Sequence, residues 1–191
     1  MTPGPERPAR AVALGVAVEI PEPVGSELRE IRERFGDPQA RSIPAHITLL
    51  PPTTVDDVLL PEIEQHLRTV AAGAEAFRVR LAGSGSFRPV SPVVFVVIAE
   101  GIAGCERLEN RVRSGVLARP VHFAYHPHVT VAHDLAPDVL DQAAKELAGY
   151  SAAFAVDHFT LYQHQDGSWV PRNEFELGAK RDPQEGSTPS P

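Results

Sequence analysis

The chain has 191 residues, 42% of them hydrophobic, which is enough to bury the core of one soluble domain or two small lobes. Its formal net charge of -7 and pI near 5.6 argue against a general nucleic-acid coating protein, which needs a basic surface along many phosphates, and leave room only for a local basic pocket. The lone cysteine, Cys105, excludes an internal disulfide and a cysteine-based zinc cluster, and it suits a reducing cytosol.

Pro3, Pro5 and Pro8 crowd the start of the chain, and residues 1–10 are expected to be disordered. Residues 11–20 imitate a signal peptide, but Glu19 interrupts the run and no small-residue cleavage site follows. The two-residue spacing of Val12, Leu14, Val16, Val18 and Ile20 predicts a strand instead. Helical spacing follows in Val24, Leu28, Ile31 and Phe35, and again in Leu59, Ile63, Leu67 and Val70. Phe77, Val79 and Leu81 predict a strand, and the apolar run 93–98 predicts one buried on both faces.

A third helix is predicted by Cys105, Leu108, Val112 and Val116, and a fourth by residues 138–148. Phe159, Leu161 and Gln163 then mark a strand that Asp166-Gly167 turns into a last one over 169–177. Residues 179–191, rich in Pro, Ser and charge, are expected to be a disordered tail. No run approaches the roughly eighteen apolar residues of a membrane span, so no membrane association and a cytoplasmic location are expected. With a strand at each motif described below, the order is strand, helix, strand, helix, two strands, helix, strand, helix, two strands. It predicts an α+β domain over 11–178 in two halves of similar plan around residue 90, with sheets backed by helices.

Ala45-His46-Ile47-Thr48-Leu49-Leu50 and Pro127-His128-Val129-Thr130-Val131-Ala132 share one pattern, 82 positions apart. With 8 His in the chain, one His-x-Thr arises by chance roughly a third of the time, so the weight lies in the pair. Taken singly, each is an ordinary strand whose polar face meets solvent. In a strand, His46 and Thr48 share one face while Ile47 and Leu49 point into the layer behind, and His128 and Thr130 repeat this. Two imidazoles and two hydroxyls lining one cleft suit attack at phosphorus. One imidazole takes a proton from the nucleophile, the other gives one to the leaving oxygen, and the hydroxyls hold the non-bridging oxygens.

In these residues the chain resembles the 2H phosphoesterase superfamily, and over most of residues 11–178 it is similar to the bacterial 2'-5' RNA ligase or RNA 2',3'-cyclic phosphodiesterase branch. Gly85-Ser86-Phe87 before the 93–96 run, and Phe159-Thr160-Leu161-Tyr162 before Asp166-Gly167-Ser168-Trp169, resemble further family segments. The resemblance implies two pseudo-symmetric lobes, each a mainly antiparallel sheet backed by helices, around a central cleft. It implies that His46 and His128 are catalytic and that Thr48 and Thr130 bind phosphate, with no metal and no cofactor. The implied reaction opens a 2',3'-cyclic phosphate at an RNA end or on a small cyclic nucleotide to a 2'-phosphate. His128 would be the base and His46 the acid, or the reverse, and the same site would serve 2'-5' ligation. Where family members often carry a basic residue directly after the second motif, this chain has Ala132-His133-Asp134, and His133 is the candidate substitute.

Arg41 and Arg119 precede the two motifs and are candidates for a forked contact to phosphate. Phe87, Phe123, Tyr125 and Trp169 are candidates for stacking on a base, Phe87 and Tyr125 foremost. His122, His126, His128 and His133 invite a metal reading, but no carboxylate or cysteine stands at a familiar ligand spacing with them. Cys105, on the apolar stripe of its helix, is read as packing. A monomer is expected. The second reading is an RNA-end or nucleotide-binding module with little turnover.

Overall fold

The computed structural model describes residues 10–120 and 123–178, so the disorder expected of residues 1–9 and 179–191 lies outside the described residues, as does His122. Arg10, placed with the disordered start on sequence grounds, is pinned: its backbone N–H donates to Asp57 Oδ1 at 3.1 Å and its carbonyl accepts from the Asp57 N–H at 2.8 Å.

Among the described residues, eight strands form two four-stranded antiparallel sheets, and four α-helices back them. The first sheet runs β2 (His46–Asp56), β1 (Ala11–Glu19), β7 (His158–Gln165), β8 (Ser168–Glu176). The second runs β5 (His128–His133), β4 (Val93–Glu100), β3 (Phe77–Ser86), β6 (Ser151–Val156). The helices are α1 (Val24–Arg34), α2 (Leu60–Ala72), α3 (Ile102–Val112) and α4 (Pro137–Glu146). This is the α+β arrangement of two lobes expected from the alternating periods, with β7 and β8 returning to the first lobe to complete its sheet.

Two elements differ from the periodicity. Strand β6 was not expected: its Ser151-Ala-Ala-Phe-Ala-Val sequence has only Phe154 and Val156 to bury, and it forms by pairing along β3 at the sheet edge. Helix α3 stops at Val112, short of the predicted Val116, because Gly115 takes a left-handed φ of 56° and opens a 3-10 turn in which Leu117 is the buried residue.

The motif strands β2 and β5 are the edges of their sheets, and they lie beside each other where the lobes meet. The helix leading to each motif packs across the divide, α1 against β5 and α3 against β2. Ile47, Leu49, Val129 and Val131 all join one continuous apolar cluster, so the floor beneath both motifs is shared. Burying such side chains stabilises each by about 1.5–3 kcal/mol and fixes the register that leaves the polar partners on the other face.

Candidate active site

The two motif strands begin with the same alternation, partly buried His, buried aliphatic, partly buried Thr, and then two buried residues. Two consecutive buried residues break strand alternation, and the pairing shows why. Thr48 pairs with Ala17 but Leu50 pairs with Val16, and Thr130 pairs with Phe95 but Ala132 pairs with Val94. Leu49 and Val131 are therefore the extra residues of matched β-bulges placed directly after each threonine, where a bulge re-aims the polar face beside a site.

Each histidine is held by the same local device. His46 Nδ1 lies 2.8 Å from the Pro44 carbonyl oxygen, and His128 Nδ1 lies 2.7 Å from that of His126. A carbonyl only accepts, so both rings carry their proton on Nδ1 and keep Nε2 as a bare lone pair. Burial pushes His46 down to about 4, against the Pro44 hydrogen bond, and the positive charges of Arg32 and His128 add to the fall. His128 is also pushed down, first by burial; its bond to His126 opposes this, and the His126 charge adds to it. Both imidazoles are neutral near pH 7 in the free chain.

The His128 ring sits edge-on to Phe87, with centroids 4.8 Å apart, and 5.2 Å from Phe95. Gly85 permits this box, because a Cβ there would stand 2.6 Å from the Phe95 ring. Tyr125 ties the lobes together, its hydroxyl donating to the Thr48 carbonyl oxygen at 2.9 Å.

The cleft has two unlike compartments that share Thr48. A smaller one, about 200 Å³, is bordered by Arg32, Gln39, His46, Thr130, His133 and Trp169. A larger apolar one, about 660 Å³, is bordered by Phe87, Arg113, Phe123, Tyr125, His126 and His128. The structure thus brings His46, Thr48, His128 and Thr130 to one cleft, with His133, Phe87 and Tyr125 around them.

Arg41 and Arg119 are not brought there. Arg41 is 83% exposed and pairs with Glu33 at 3.4 Å on the outer face of α1, and Arg119 bonds back to the Val116 and Ala118 carbonyls. Proximity in sequence to a motif is not proximity in space, since each arginine belongs to a loop that turns outward. Trp169 borders the polar compartment, and Phe123, 77% exposed, borders the apolar one. Arg32 was missed by sequence reasoning. Its signal was a cation four residues after Leu28 and next to Ile31, inside the apolar stripe of α1 rather than on its solvated face.

Cys105 is fully buried, and burial pushes its thiol up to about 12, in keeping with a packing role. Among the described residues, no three His, Cys, Asp or Glu side chains converge on a point that would hold a metal. Nor is any described helix long and apolar enough to cross a membrane.

Two antiparallel lobes meeting at a pair of matched His-x-Thr strands define the two-histidine phosphoesterase class. Residues 20–168 match the 2'-5' RNA ligase superfamily, and the chain belongs to that family. It is 31% identical to a candidate phosphoesterase of Geobacillus sp. (strain WCH70) over 171 residues, 87% of this chain and 96% of that one. It is 32% identical to a similarly named Bacillus licheniformis protein, over 78% of this chain and 88% of that one. Among solved structures it is similar to E. coli LigT complexed with 3'-AMP, with a TM-score of 0.59 and 22% identity over 89% of this chain and 100% of that one. It is also similar to TT0787 of Thermus thermophilus, with a TM-score of 0.58 and 25% identity over 88% of this chain and 100% of that one.

Proposed function

We propose that this chain is a phosphodiesterase that opens 2',3'-cyclic phosphates, at RNA ends or on small nucleotides, to 2'-phosphates, and that the same site joins a 5'-hydroxyl to such an end as a reversible 2'-5' bond. The observation that carries the reading is the matched pair of imidazoles. Each has Nδ1 fixed on the carbonyl two residues earlier and Nε2 left to the cleft, beside a threonine on the same strand face. Two nitrogens of one kind, held on opposite lobes, suit a reaction with a proton taken on one side of phosphorus and given on the other.

The substrate's anionic phosphate sits against the Thr48 and Thr130 hydroxyls, and its charge raises the pKa of the adjacent imidazoles, so that one of them enters the reaction protonated. His128 takes a proton from water as its oxygen bonds to phosphorus. The bond to the 3' oxygen breaks, and His46 gives that oxygen its proton. A proton then passes from His128 to His46 through solvent and resets the site. Ligation uses the same groups in the same roles, with a 5'-hydroxyl in place of water, and cleavage of the 2'-5' bond back to the cyclic phosphate exchanges them. The apolar compartment beside His128, walled by Phe87, is where the nucleobase stacks. E. coli LigT, which has this fold, has been crystallised with 3'-AMP and with phosphate, ligands of the class proposed here.

The test is hydrolysis of 2',3'-cyclic nucleotides in the presence of a chelator, comparing the wild type with His46→Ala and His128→Ala proteins that keep the native circular dichroism spectrum. Loss of turnover by roughly a thousandfold or more in both is expected, the scale of losing a general acid or base. Undiminished turnover in both variants overturns the site. Tight product binding without turnover in the wild type makes the chain a binding module.

A further inference from the structure

Directly after the second motif, Ala132 is buried, and His133, which borders the compartment, offers an imidazole rather than a permanent cation. A phosphate held by two hydroxyls and two neutral imidazoles lacks a permanent positive charge. The structure contains such a charge on another element. Arg32, in the last turn of α1, is 5% exposed and borders the same compartment as His46, Thr48 and Thr130.

We propose that Arg32 is the phosphate-binding cation of this cleft, and that Asp37 aims it there. This rests on the reading of the cleft as a phosphate site. Arg32 Nε donates to Asp37 Oδ2 at 2.7 Å, both side chains being buried, while Asp37 Oδ1 accepts from the Gln39 N–H at 2.9 Å. Asp37 thereby anchors the guanidinium edge at the start of the 3-10 turn, Pro38–Arg41, which leads to the first motif. Only one of the five guanidinium N–H donors is used in that contact. The two terminal nitrogens have no hydrogen-bond partner among the described residues, yet neither is sealed from the surface as an orphaned atom.

A buried guanidinium fixed at Nε, with both Nη groups unpartnered on a residue that lines the cleft, has the donors for forked contact with a tetrahedral anion. Its charge is already felt in the compartment, since Arg32 is among the groups that hold the His46 proton off. The plainer role for the Arg32–Asp37 pair is to fasten α1 to the loop before β2. That role explains Nε but gives no task to the Nη groups.

The probe is inorganic phosphate, titrated by calorimetry and by the His46 Cε1–H resonance, against wild-type, Arg32→Ala, Arg32→Lys and Asp37→Asn proteins. Losing a charge-assisted contact weakens phosphate binding on the order of 10- to 100-fold in Arg32→Ala. Millimolar guanidinium restores part of that loss, and Arg32→Lys, with the charge but not the fork, falls between. In Asp37→Asn the phosphate affinity drops less than in Arg32→Ala. Where Arg32→Ala does not fold, Arg32→Lys decides, with an affinity several-fold below wild type expected at an unchanged thermal midpoint. Wild-type phosphate affinity in the folded Arg32 variants overturns the assignment and leaves the pair a fastener. Cyclic-nucleotide turnover of the wild type, measured alongside, separates the two ideas. Arg32-dependent phosphate binding without turnover keeps this inference and removes the proposed reaction, and turnover shared undiminished by the Arg32 variants does the opposite.

Discussion

Acid should unfold this protein partly through His46, and the size of the effect follows from its surroundings. The imidazole takes its proton near the ordinary 6.5 in an unfolded chain but only at about 4 in the folded one, chiefly because it is buried. Between those values the unfolded state binds more protons. The stabilising contribution is therefore complete above pH 6.5 and is lost as the pH falls towards 4, by up to about 1.4 kcal/mol per pH unit. From pH 7.5 to 5.0 the affected span is about 1.5 units, a ceiling of about 2 kcal/mol, and the open side of the cleft lowers it to about 1 kcal/mol. The perturbation that isolates it is His46→Asn, whose amide N–H replaces the Nδ1 donor to the Pro44 carbonyl but does not titrate. Urea unfolding at the two pH values should show the wild type losing about 1–2 kcal/mol more stability than the variant. The depressed His128 acts in both proteins and cancels. Equal losses in the two proteins would refute the claim that His46 is held neutral by its burial.

The same two shifts place the pH optimum of kcat/KM, which reports the free enzyme, below 6.5, between the His46 and His128 ionisations. The kcat optimum lies higher because bound phosphate raises both pKa values, and a pH series on a cyclic nucleotide checks the order. Tyr125→Phe removes the hydroxyl that bridges to the Thr48 carbonyl and should cost about 1–2 kcal/mol in urea unfolding while lowering turnover, since Thr48 loses its link to the other lobe. The double variant Arg41→Ala, Arg119→Ala should keep turnover within about twofold of wild type, because both side chains face outward; a larger fall in steady-state assays would bring them back to the site.

The His-x-Thr strands were legible because their chemistry and their packing obey the same two-residue period: Ile47 and Val129 vanish into the core as His46 and His128 turn away from it. The bulges at Leu49 and Val131 were not, since an extra residue shows only against the partner strand, and β1 and β4 carry no mark of it. Strand β6 was hidden by alanines, which give a period little to act on, and is made by β3 rather than by its own preference. Arg32 escaped because a cation on a helix is usually solvated, and only tertiary packing of α1 on β5 turns that face inward. Arg41 and Arg119 misled for the converse reason: a short distance along a turning loop fixes no direction.

The return of β7 and β8 to the first sheet matters while the protein is being made. Strand β1 has β2 on one side and β7 on the other, and β7 is not synthesised until the whole second lobe has been. A nascent chain therefore carries its first histidine motif on half a sheet, with α1 lacking β5 to lie on, through most of translation. Domains generally fold as units once their strands are present, so neither half of the cleft is assembled early. The facing pair of motif strands is therefore complete only when residues up to about 176 have left the ribosome.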